Sequence, residues 1–217
     1  RSERMKVHVA GVGKMGLPMA RHLRRGGHAV TVSDSDAARL TLAAPADLQA
    51  VDAREGLGAA DVILSSLPHD AALLEVAAQV ARDARKGSTW IDTSTVSQHA
   101  SAHAAKLCAD AGIAHLRCTV SSNNLMADAA QLTVMASGPR ATYEAMLPLL
   151  KLLGPTQFWL GEREQARLMK LVVNLMIAQT SAMLAESLTL GEKGGLRWED
   201  MWEVLTHSAV ASPIVKA

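Results

Sequence analysis

A glycine-rich turn near the start of the chain restricts the fold more than any other feature of the sequence. The apolar run Lys6–Ala10 predicts a strand, and the pattern Gly-Val-Gly-Lys-Met-Gly follows it directly and opens a helix. In this position the first glycine permits a tight turn, the second lets backbone amides approach a pyrophosphate, and the third allows close packing of helix on strand. A purely structural turn is the alternative, but the placement after a strand favours a dinucleotide site. Its predicted contacts are Gly11, Gly13, Lys14, Met15 and Gly16.

An acidic residue at the end of the predicted second strand indicates which dinucleotide is bound. Asp34 lies where a carboxylate accepts hydrogen bonds from the adenosine ribose hydroxyls and repels a 2′-phosphate. Ser35 follows it where an NADP enzyme often has an arginine, so the sequence favours NAD over NADP as the cofactor. A loop carboxylate or a helix cap is the alternative role for Asp34, although Asp36 is better placed to cap the helical pattern that begins at Ala37.

Short apolar runs alternate with helical patterns along residues 6–160. The runs show little in-out alternation, as expected of strands that helices cover on both faces, and the order of elements predicts parallel βαβ units. A helix over residues 140–153 is predicted to close at Gly154, before Pro155. We therefore expect an α/β fold in which residues 1–161 form a Rossmann-like parallel sheet domain. The predicted strands are 6–10, 29–33, 62–65, 89–92, 131–137 and 156–160.

Residues 162–217 read as the start of an all-α domain. A helical pattern runs without a break from Glu164 to about Lys193, and a shorter one covers residues 199–207. The first half of the long helix is apolar nearly all round, and too few other helices follow to cover it. We expect a homodimer that packs on this helix, further residues beyond Ala217, or both, so that the helical domain is incomplete as it stands.

Charge and composition argue against several kinds of partner. The sequence has 22 lysines and arginines and 21 aspartates and glutamates, which give a formal charge of +1. The basic residues form no stripe, so nucleic acid is not expected as a partner. Cys108 and Cys118 lack the spacing of a disulfide framework, which favours a reducing, cytoplasmic location. The apolar stretch 168–178 is interrupted and too short to span a bilayer, so no membrane segment is expected. His99 and His103 lack a nearby third ligand, so no metal site is expected.

Two polar residues interrupt the apolar part of the long helix. Lys170 and Asn174 are spaced i, i+4 and therefore emerge on one helix face. A lysine withdrawn from water has a lowered pKa, which suits proton transfer near neutral pH. From the residues alone, a functional pair and a solvent-reaching lysine beside a capping asparagine remain equally open.

Four segments of the sequence match one known family. They are Gly-x-Gly-x-Met-Gly-Leu-Pro-Met-Ala at residues 11–20, Leu-Pro at 67–68, Ile-Asp-Thr-Ser-Thr at 91–95, and residues 161–174 ending in Lys-x-x-x-Asn. In order, they resemble the N-terminal signature, two cofactor-side loops and the catalytic segment of the β-hydroxyacid dehydrogenase family, which includes the 3-hydroxyisobutyrate dehydrogenases. The resemblance covers nearly the whole chain.

The resemblance implies an activity and several site residues. Leu67, Pro68 and Thr95 would contact the cofactor. Lys170 would take the hydroxyl proton on oxidation or return it on reduction, while hydride passes between the nicotinamide and the carbinol carbon of a small β-hydroxy acid. Asn174 would hold the substrate oxygen and orient the lysine amine. The resemblance also implies a homodimer and a longer C-terminal helical part than this chain contains.

One segment departs from the family pattern. Residues 119–124 occupy the place of the family's substrate loop, in which a serine precedes two glycines. Ser121 matches the serine, whereas Ser122 and Asn123 replace the glycines and add side chains where the family exposes backbone amides to the substrate carboxylate. The exact hydroxy acid is therefore left open, and a serine-rich turn without a substrate role is an equal alternative.

Two competing functions are weighed against the dehydrogenase. An imine reductase is similar in overall sequence, but that group usually has another proton donor at the position of Lys170 and prefers NADP. A non-catalytic NAD-binding interaction module would be expected to lack the lysine. Lys170 and Asp34 together favour an NAD-dependent dehydrogenase.

Overall fold

A computed structural model describes residues 4–121 and 124–216. The predicted substrate residues Ser122 and Asn123 lie outside this range. The strands are β1 (Lys6–Ala10), β2 (Ala29–Ser33), β3 (Gln49–Ala50), β4 (Val62–Ser65), β5 (Thr89–Asp92), β6 (Ala114–Ser121), β7 (Thr133–Ser137) and β8 (Thr156–Trp159). The helices are α1 (Gly16–Arg25), α2 (Ala37–Leu40), α3 (Ala53–Ala59), α4 (Asp70–Asp83), α5 (Gln98–Asp110), α6 (Asn124–Asp128), α7 (Arg140–Leu150), α8 (Gln165–Lys193), α9 (Trp198–His207) and α10 (Pro213–Lys216), with a 3₁₀ turn at Ala44–Ala46.

The strands form one eight-stranded sheet in the order β3-β2-β1-β4-β5-β6-β7-β8. Strands β1 to β6 are parallel, β7 is antiparallel to β6, and β8 is parallel to β7. The predicted Rossmann-like α/β fold is therefore confirmed, with a sheet that is mostly rather than wholly parallel. The antiparallel pair arises because the short α6 segment between β6 and β7 reverses the chain without the helical crossover that parallel strands need.

Two strands in the sheet were not predicted from the sequence. Strand β3 has only two residues, and both are exposed. Strand β6 carries His115 and Arg117 among its buried residues, so it lacks the continuous apolar run by which the other strands were found. Residues 119–121, which were predicted to lie in the substrate loop, form the end of this strand.

Helices cover both faces of the sheet, and alternate residues of each strand supply the two cores. Val62 and Leu64 of β4 join the core with α1 and α7, whereas Ile63 joins the core with α3, α4 and α5. Both sets of side chains are apolar because both faces are covered. This explains why the strands show little alternation in the sequence.

The chain divides into two compact units, residues 1–170 and 171–217. The boundary predicted from the sequence, after Gly161, falls earlier than this division. The first turn of α8 belongs with the sheet because Ala166 and Arg167 are buried there. In the second unit, α9 packs on the end of α8, where Met201 fits against Gly191.

Helix α8 leaves many large apolar side chains exposed. By length and composition alone, this 29-residue helix of the described part of the chain could cross a membrane. Its most apolar 18-residue segment has a mean hydropathy of 1.5, and none of that segment is buried. The prediction that the apolar stretch is too short was therefore wrong, because uncharged residues continue the helix past Ala178. A soluble protein's core helix has the same composition when a partner covers it. The exposed side chains include Leu168, Met169, Leu171, Val172, Leu175, Met176, Ile177 and Met183.

Candidate functional site

The predicted cofactor residues of the first unit come together at one edge of the sheet. Strands β2, β1, β4 and β5 are adjacent and parallel, so their carboxyl ends share this edge. The strand order reverses between β1 and β4, and ligands of such sheets bind outside the carboxyl ends at this switch point. The residues that follow these four strands are the glycine turn, Asp34, the Leu67–Pro68 pair and Thr95.

Two of the three glycines are required by the turn itself. Gly11 has a positive φ of 94°, and a Cβ there would lie 2.9 Å from the carbonyl oxygen of Ser66. A Cβ on Gly16 would lie only 1.8 Å from the carbonyl oxygen of Gly11. These contacts confirm the tight turn and the close packing of helix on strand that the sequence predicts.

The middle glycine has no such structural reason. A Cβ on Gly13 would meet only the Arg39 side chain, 3.7 Å away. Helix α1 also begins without a side-chain cap at Met15 and without an acidic residue in its first turn. Open space beside Gly13 and uncapped amides at a helix start fit a pyrophosphate, so the turn could hold a dinucleotide. Lys14 beside it is exposed, and Met15 is half-buried.

Asp34 fixes the glycine turn as well as facing the cofactor edge. Its Oδ2 accepts a hydrogen bond of 2.8 Å from the Val12 N–H, and its Oδ1 accepts one of 2.9 Å from the Asp36 N–H. The carboxylate is only 3% exposed, and Arg39 Nη1 lies 3.8 Å from Oδ2. Each carboxylate oxygen retains a second lone pair for a ribose hydroxyl.

The sequence analysis missed the contribution of Arg39, which lies on α2 and reaches back toward Asp34. The predicted cap of that helix is confirmed, because Asp36 Oδ1 accepts a hydrogen bond of 2.9 Å from the Ala38 N–H. The cap holds the helix in place and so sets the position of Arg39. The sequence signal that could have identified Arg39 is its position three residues after Asp36, the predicted cap of the helix that follows β2.

Leu67, Pro68 and Thr95 lie in the two loops after β4 and β5. Leu67 is half-buried, whereas Pro68 and Thr95 are exposed. The Leu67 N–H donates a hydrogen bond of 2.7 Å to the Ser94 hydroxyl, which joins the two loops. These loops are therefore held together at the edge where the glycine turn lies.

Ser121 is the last residue of β6 and is half-buried. Strand β5 ends at Asp92, which pairs with Arg117, so β6 continues four residues past the end of its neighbour. Ser121 therefore extends beyond the carboxyl end of β5, on the same side as the predicted cofactor residues.

Lys170 is the last residue of the first unit and is half-buried on α8. Burial lowers its pKa from the ordinary value of 10.5, because desolvation disfavours the charged amine. Asn174 lies one turn further along the helix, in the second unit, and is also half-buried. A partly desolvated amine of this kind can exchange a proton with a substrate hydroxyl.

A buried ion pair that the sequence analysis missed lies one turn before Lys170. Arg167 Nη2 donates to Asp92 Oδ2 at 2.5 Å, and both side chains are completely buried. A second ion pair joins Arg117 to Glu164, with side chains 8% and 13% exposed. Both pairs hold the beginning of α8 against the sheet. The polar residues of β5 and β6 give no local signal of these partners.

Metal ligands are not assembled in the described part of the chain. Residues 4–121 and 124–216 contain no group of three or more His, Cys, Asp or Glu side chains that could hold a metal ion. His99 and His103 are both exposed on α5.

Sequence comparisons link this geometry to known proteins. The family profile described as the NAD binding domain of 6-phosphogluconate dehydrogenase matches residues 6–161. The 2-(hydroxymethyl)glutarate dehydrogenase of Eubacterium barkeri is 31% identical, over 98% of this chain and 72% of that protein. Glyoxylate/succinic semialdehyde reductase 2 of Arabidopsis thaliana is 29% identical, over 97% of this chain and 60% of its own length. The nuclear factor N-PAC of Mus musculus is 27% identical over 95% of this chain but only 38% of its own length.

Solved structures share the same architecture. The Mycobacterium tuberculosis 3-hydroxyisobutyrate dehydrogenase, solved with L-serine, aligns with a TM-score of 0.91 and 26% identity. The alignment covers 98% of this chain and 74% of that enzyme's chain. Psf3 with NADP+ and 2-OPP has a TM-score of 0.87 at 22% identity, over 97% of this chain and 76% of its own. An imine reductase from Myxococcus stipitatus with NAD+ has a TM-score of 0.87 at 18% identity, over 94% and 71%. The last two likenesses establish only the fold.

The profile match and the 31% identity to a hydroxyacid dehydrogenase agree with the site described above. The profile covers the whole sheet, including the glycine turn, and the sequence relative extends the match across Lys170 and the start of the helical unit. The chain belongs to the β-hydroxyacid dehydrogenase family of NAD(P)-dependent oxidoreductases.

Proposed function

We propose that this chain is an NAD-dependent dehydrogenase that transfers a hydride between the cofactor and a small β-hydroxy acid similar to 3-hydroxyisobutyrate. The observation that supports this proposal most directly is the half-buried position of Lys170 near the start of α8. Burial lowers the pKa of its amine. The relatives named as dehydrogenases of 2-(hydroxymethyl)glutarate and 3-hydroxyisobutyrate support a small hydroxy acid as the substrate class.

Lys170 acts as the general acid and base in this proposal. When bound, the nicotinamide would supply the hydride acceptor for oxidation and the hydride donor for reduction. The neutral amine of Lys170 accepts the hydroxyl proton as the C–H bond breaks and the carbonyl forms, and the ammonium returns that proton on reduction. By its resemblance to the family, Asn174 is proposed to hold the substrate oxygen and orient the amine.

The substrate carboxylate is proposed to bind at the end of β6. Ser121 supplies a hydroxyl there, and we propose that Ser122 and Asn123 contribute side-chain donors in place of the family's backbone amides. A polar side chain at each of these positions favours a substrate with a carboxylate or another acceptor group.

The competing functions have less support. The likeness to an imine reductase, at 18% identity, concerns the fold. N-PAC is named as a nuclear factor rather than as an enzyme, which suits a non-catalytic module, but the cost of desolvating Lys170 favours a catalytic use of that lysine. We also propose a reducing, cytoplasmic setting, because Cys108 and Cys118 are free thiols and lack the spacing of a disulfide framework.

We expect the full-length protein to reduce NAD in the presence of 3-hydroxy acids and to prefer NAD to NADP. Asp34 directly follows β2 and keeps a second lone pair on each carboxylate oxygen for a ribose hydroxyl, and Ser35 adds no positive charge. Absorbance at 340 nm, measured across a panel of 3-hydroxy acids with each cofactor, tests the activity, and titration of each cofactor tests the preference.

A matched pair of variants tests the cofactor preference. Ser35→Arg leaves the backbone contacts of Asp34 intact, and the added charge is expected to raise NADP affinity by about tenfold. Arg39→Ala removes the arginine beside Asp34 and is expected to weaken NADP more than NAD. Equal or tighter binding of NADP by the unaltered protein would contradict the NAD preference.

We propose that α8 packs against a second copy of the chain in a homodimer, without a membrane or nucleic-acid partner. An apolar surface as large as that on α8 is rare on a soluble monomer. Light scattering or sedimentation of the full-length protein is expected to give the mass of at least a dimer. A stable monomer without detergent would contradict the dimer, and a requirement for detergent would contradict the absence of a membrane partner.

A further inference from the structure

The ion pair of Arg167 and Asp92 lies within a larger buried hydrogen-bond network. Besides its bond to Asp92, Arg167 donates from Nη1 to the Ser94 carbonyl at 2.5 Å and from Nε to the Ser101 hydroxyl at 3.0 Å. Asp92 Oδ1 accepts from the hydroxyls of Ser65 at 2.5 Å and Ser94 at 2.7 Å. Each of the five side chains, and the Ser94 carbonyl, therefore has a partner, and the network joins β4, β5, α5 and α8.

The network also reaches the predicted cofactor loops. The Ser94 hydroxyl accepts from the Leu67 N–H at 2.7 Å while it donates to Asp92. Ser94 is the residue before Thr95, and Arg167 lies one helical turn before Lys170. One continuous set of bonds thus connects the loop after β4, the loop after β5 and the turn of α8 that precedes the proposed acid and base.

Stability alone is a poor explanation for this arrangement. Removing a guanidinium and a carboxylate from water is costly, and apolar side chains of similar volume often stabilise a core at least as well. What a fully bonded ion pair provides is one defined geometry, because its fork-shaped donors and its acceptors match in direction as well as distance.

The second ion pair differs in its connections. Arg117 binds one oxygen of Glu164, and Glu164 Oε2 is buried without a hydrogen-bond partner among the described residues. Its contacts reach β6 and the start of α8 but not the loops that carry Leu67 and Thr95. It therefore offers a matched comparison: a buried guanidinium that anchors the same helix without the link to the cofactor edge.

We propose that Arg167 is a positioning residue that sets the depth and orientation of Lys170 relative to the cofactor-side loops after β4 and β5. The inference rests on the proposed function, in which Lys170 exchanges the proton. The substitution Arg167→Lys keeps the charge but cannot form the three directed hydrogen bonds in the same plane, so the start of α8 is free to shift.

The test measures how well bound NADH shields the Lys170 amine from reductive methylation by formaldehyde and cyanoborohydride, followed by mass spectrometry of the full-length protein. In the unaltered protein, we expect saturating NADH to slow methylation of Lys170 by about tenfold, and in Arg167→Lys by less than about threefold. We expect kcat for the hydroxy acid to fall by about 100-fold, while the NADH Kd and the cofactor KM change by less than about threefold.

Arg117→Lys is the control, because it makes the same chemical change in the other buried pair. It is expected to lower the melting temperature to a similar extent while the shielding of Lys170 and kcat stay within about threefold of the unaltered values. If Arg167→Lys does not fold by circular dichroism, Ser94→Ala replaces it, since that change removes the bridge between Leu67 and Asp92 but keeps the ion pair.

Several outcomes would overturn the inference. Full shielding of Lys170 in folded Arg167→Lys or in Ser94→Ala would do so, and so would an equal loss of shielding in Arg117→Lys. Absence of shielding in the unaltered protein would overturn it as well. If no hydroxy acid is oxidised, the proposed function fails, whereas the methylation result still decides whether Arg167 positions Lys170.

Discussion

Replacing Lys170 by methionine is expected to lower kcat by about 10²- to 10⁴-fold, the range that a general acid or base contributes. Methionine keeps the length and apolar stem of the side chain but cannot carry a proton. Cofactor affinity should change by less than about threefold, because the glycine turn and Asp34 follow strands β1 and β2, whereas Lys170 lies on α8. Steady-state assays at 340 nm would measure kcat, and fluorescence titration would measure the Kd for NADH.

The pH dependence provides an independent check on Lys170. Burial lowers the pKa of this amine below 10.5, so the neutral base required for oxidation becomes populated at a lower pH than for an exposed lysine. We therefore expect the rate of hydroxy-acid oxidation to rise with pH through a midpoint below 10.5 and the rate of reduction to fall through the same region. Both limbs should be lost in Lys170→Met.

Lys193→Met is the matched control for this substitution. Lys193 is exposed at the end of the same helix, so its replacement should leave kcat and cofactor affinity unchanged. Retained turnover in Lys170→Met would reject the proton-transfer role. If Lys170→Met loses both NADH binding and turnover, Lys170 is instead needed for the structure of the site.

Gly16→Ala is expected to disrupt both the fold around the turn and cofactor binding. The added Cβ would lie 1.8 Å from the Gly11 carbonyl oxygen, a distance that no rotamer change can relieve because the contact is with backbone. Overpacking of this kind costs several kcal/mol, so we expect a loss of about 3 kcal/mol or more in the free energy of unfolding and no measurable NADH binding. Denaturant unfolding and fluorescence titration would provide both values.

Two other glycines separate the structural cause from the binding cause. A Cβ on Gly13 would make only ordinary contacts within the protein, so Gly13→Ala should change the free energy of unfolding by less than about 1 kcal/mol. The same Cβ would crowd the pyrophosphate, so the affinity for NADH should fall by about tenfold or more. A Cβ on Gly58, which lies in α3, would be 3.5 Å from the Asp83 carbonyl oxygen, an ordinary contact, so Gly58→Ala should lower neither the stability nor the NADH affinity. Tight NADH binding by Gly13→Ala would contradict the placement of the pyrophosphate at this turn.

Features that depend on neighbouring residues could be predicted from the sequence. Glycine spacing after an apolar run specified the turn, and the cap at Asp36 was readable because an acceptor and the amide it binds are two residues apart. The strands at Ala29–Ser33, Val62–Ser65 and Thr89–Asp92 were predicted at their observed bounds because each is a short, mainly apolar or β-branched run without a buried cation.

Features that join distant parts of the chain became visible only in the folded structure. Strand β6 was missed because its Arg117 is neutralised by Glu164, 47 residues away, and the network around Arg167 was missed because Arg167 and Asp92 are 75 residues apart. The inward direction of the Asp34 carboxylate and the reversal at β7 likewise depend on which elements become neighbours. A charged side chain is stable inside a protein only beside its partner, and periodicity along the chain carries no information about a partner that folding brings from elsewhere.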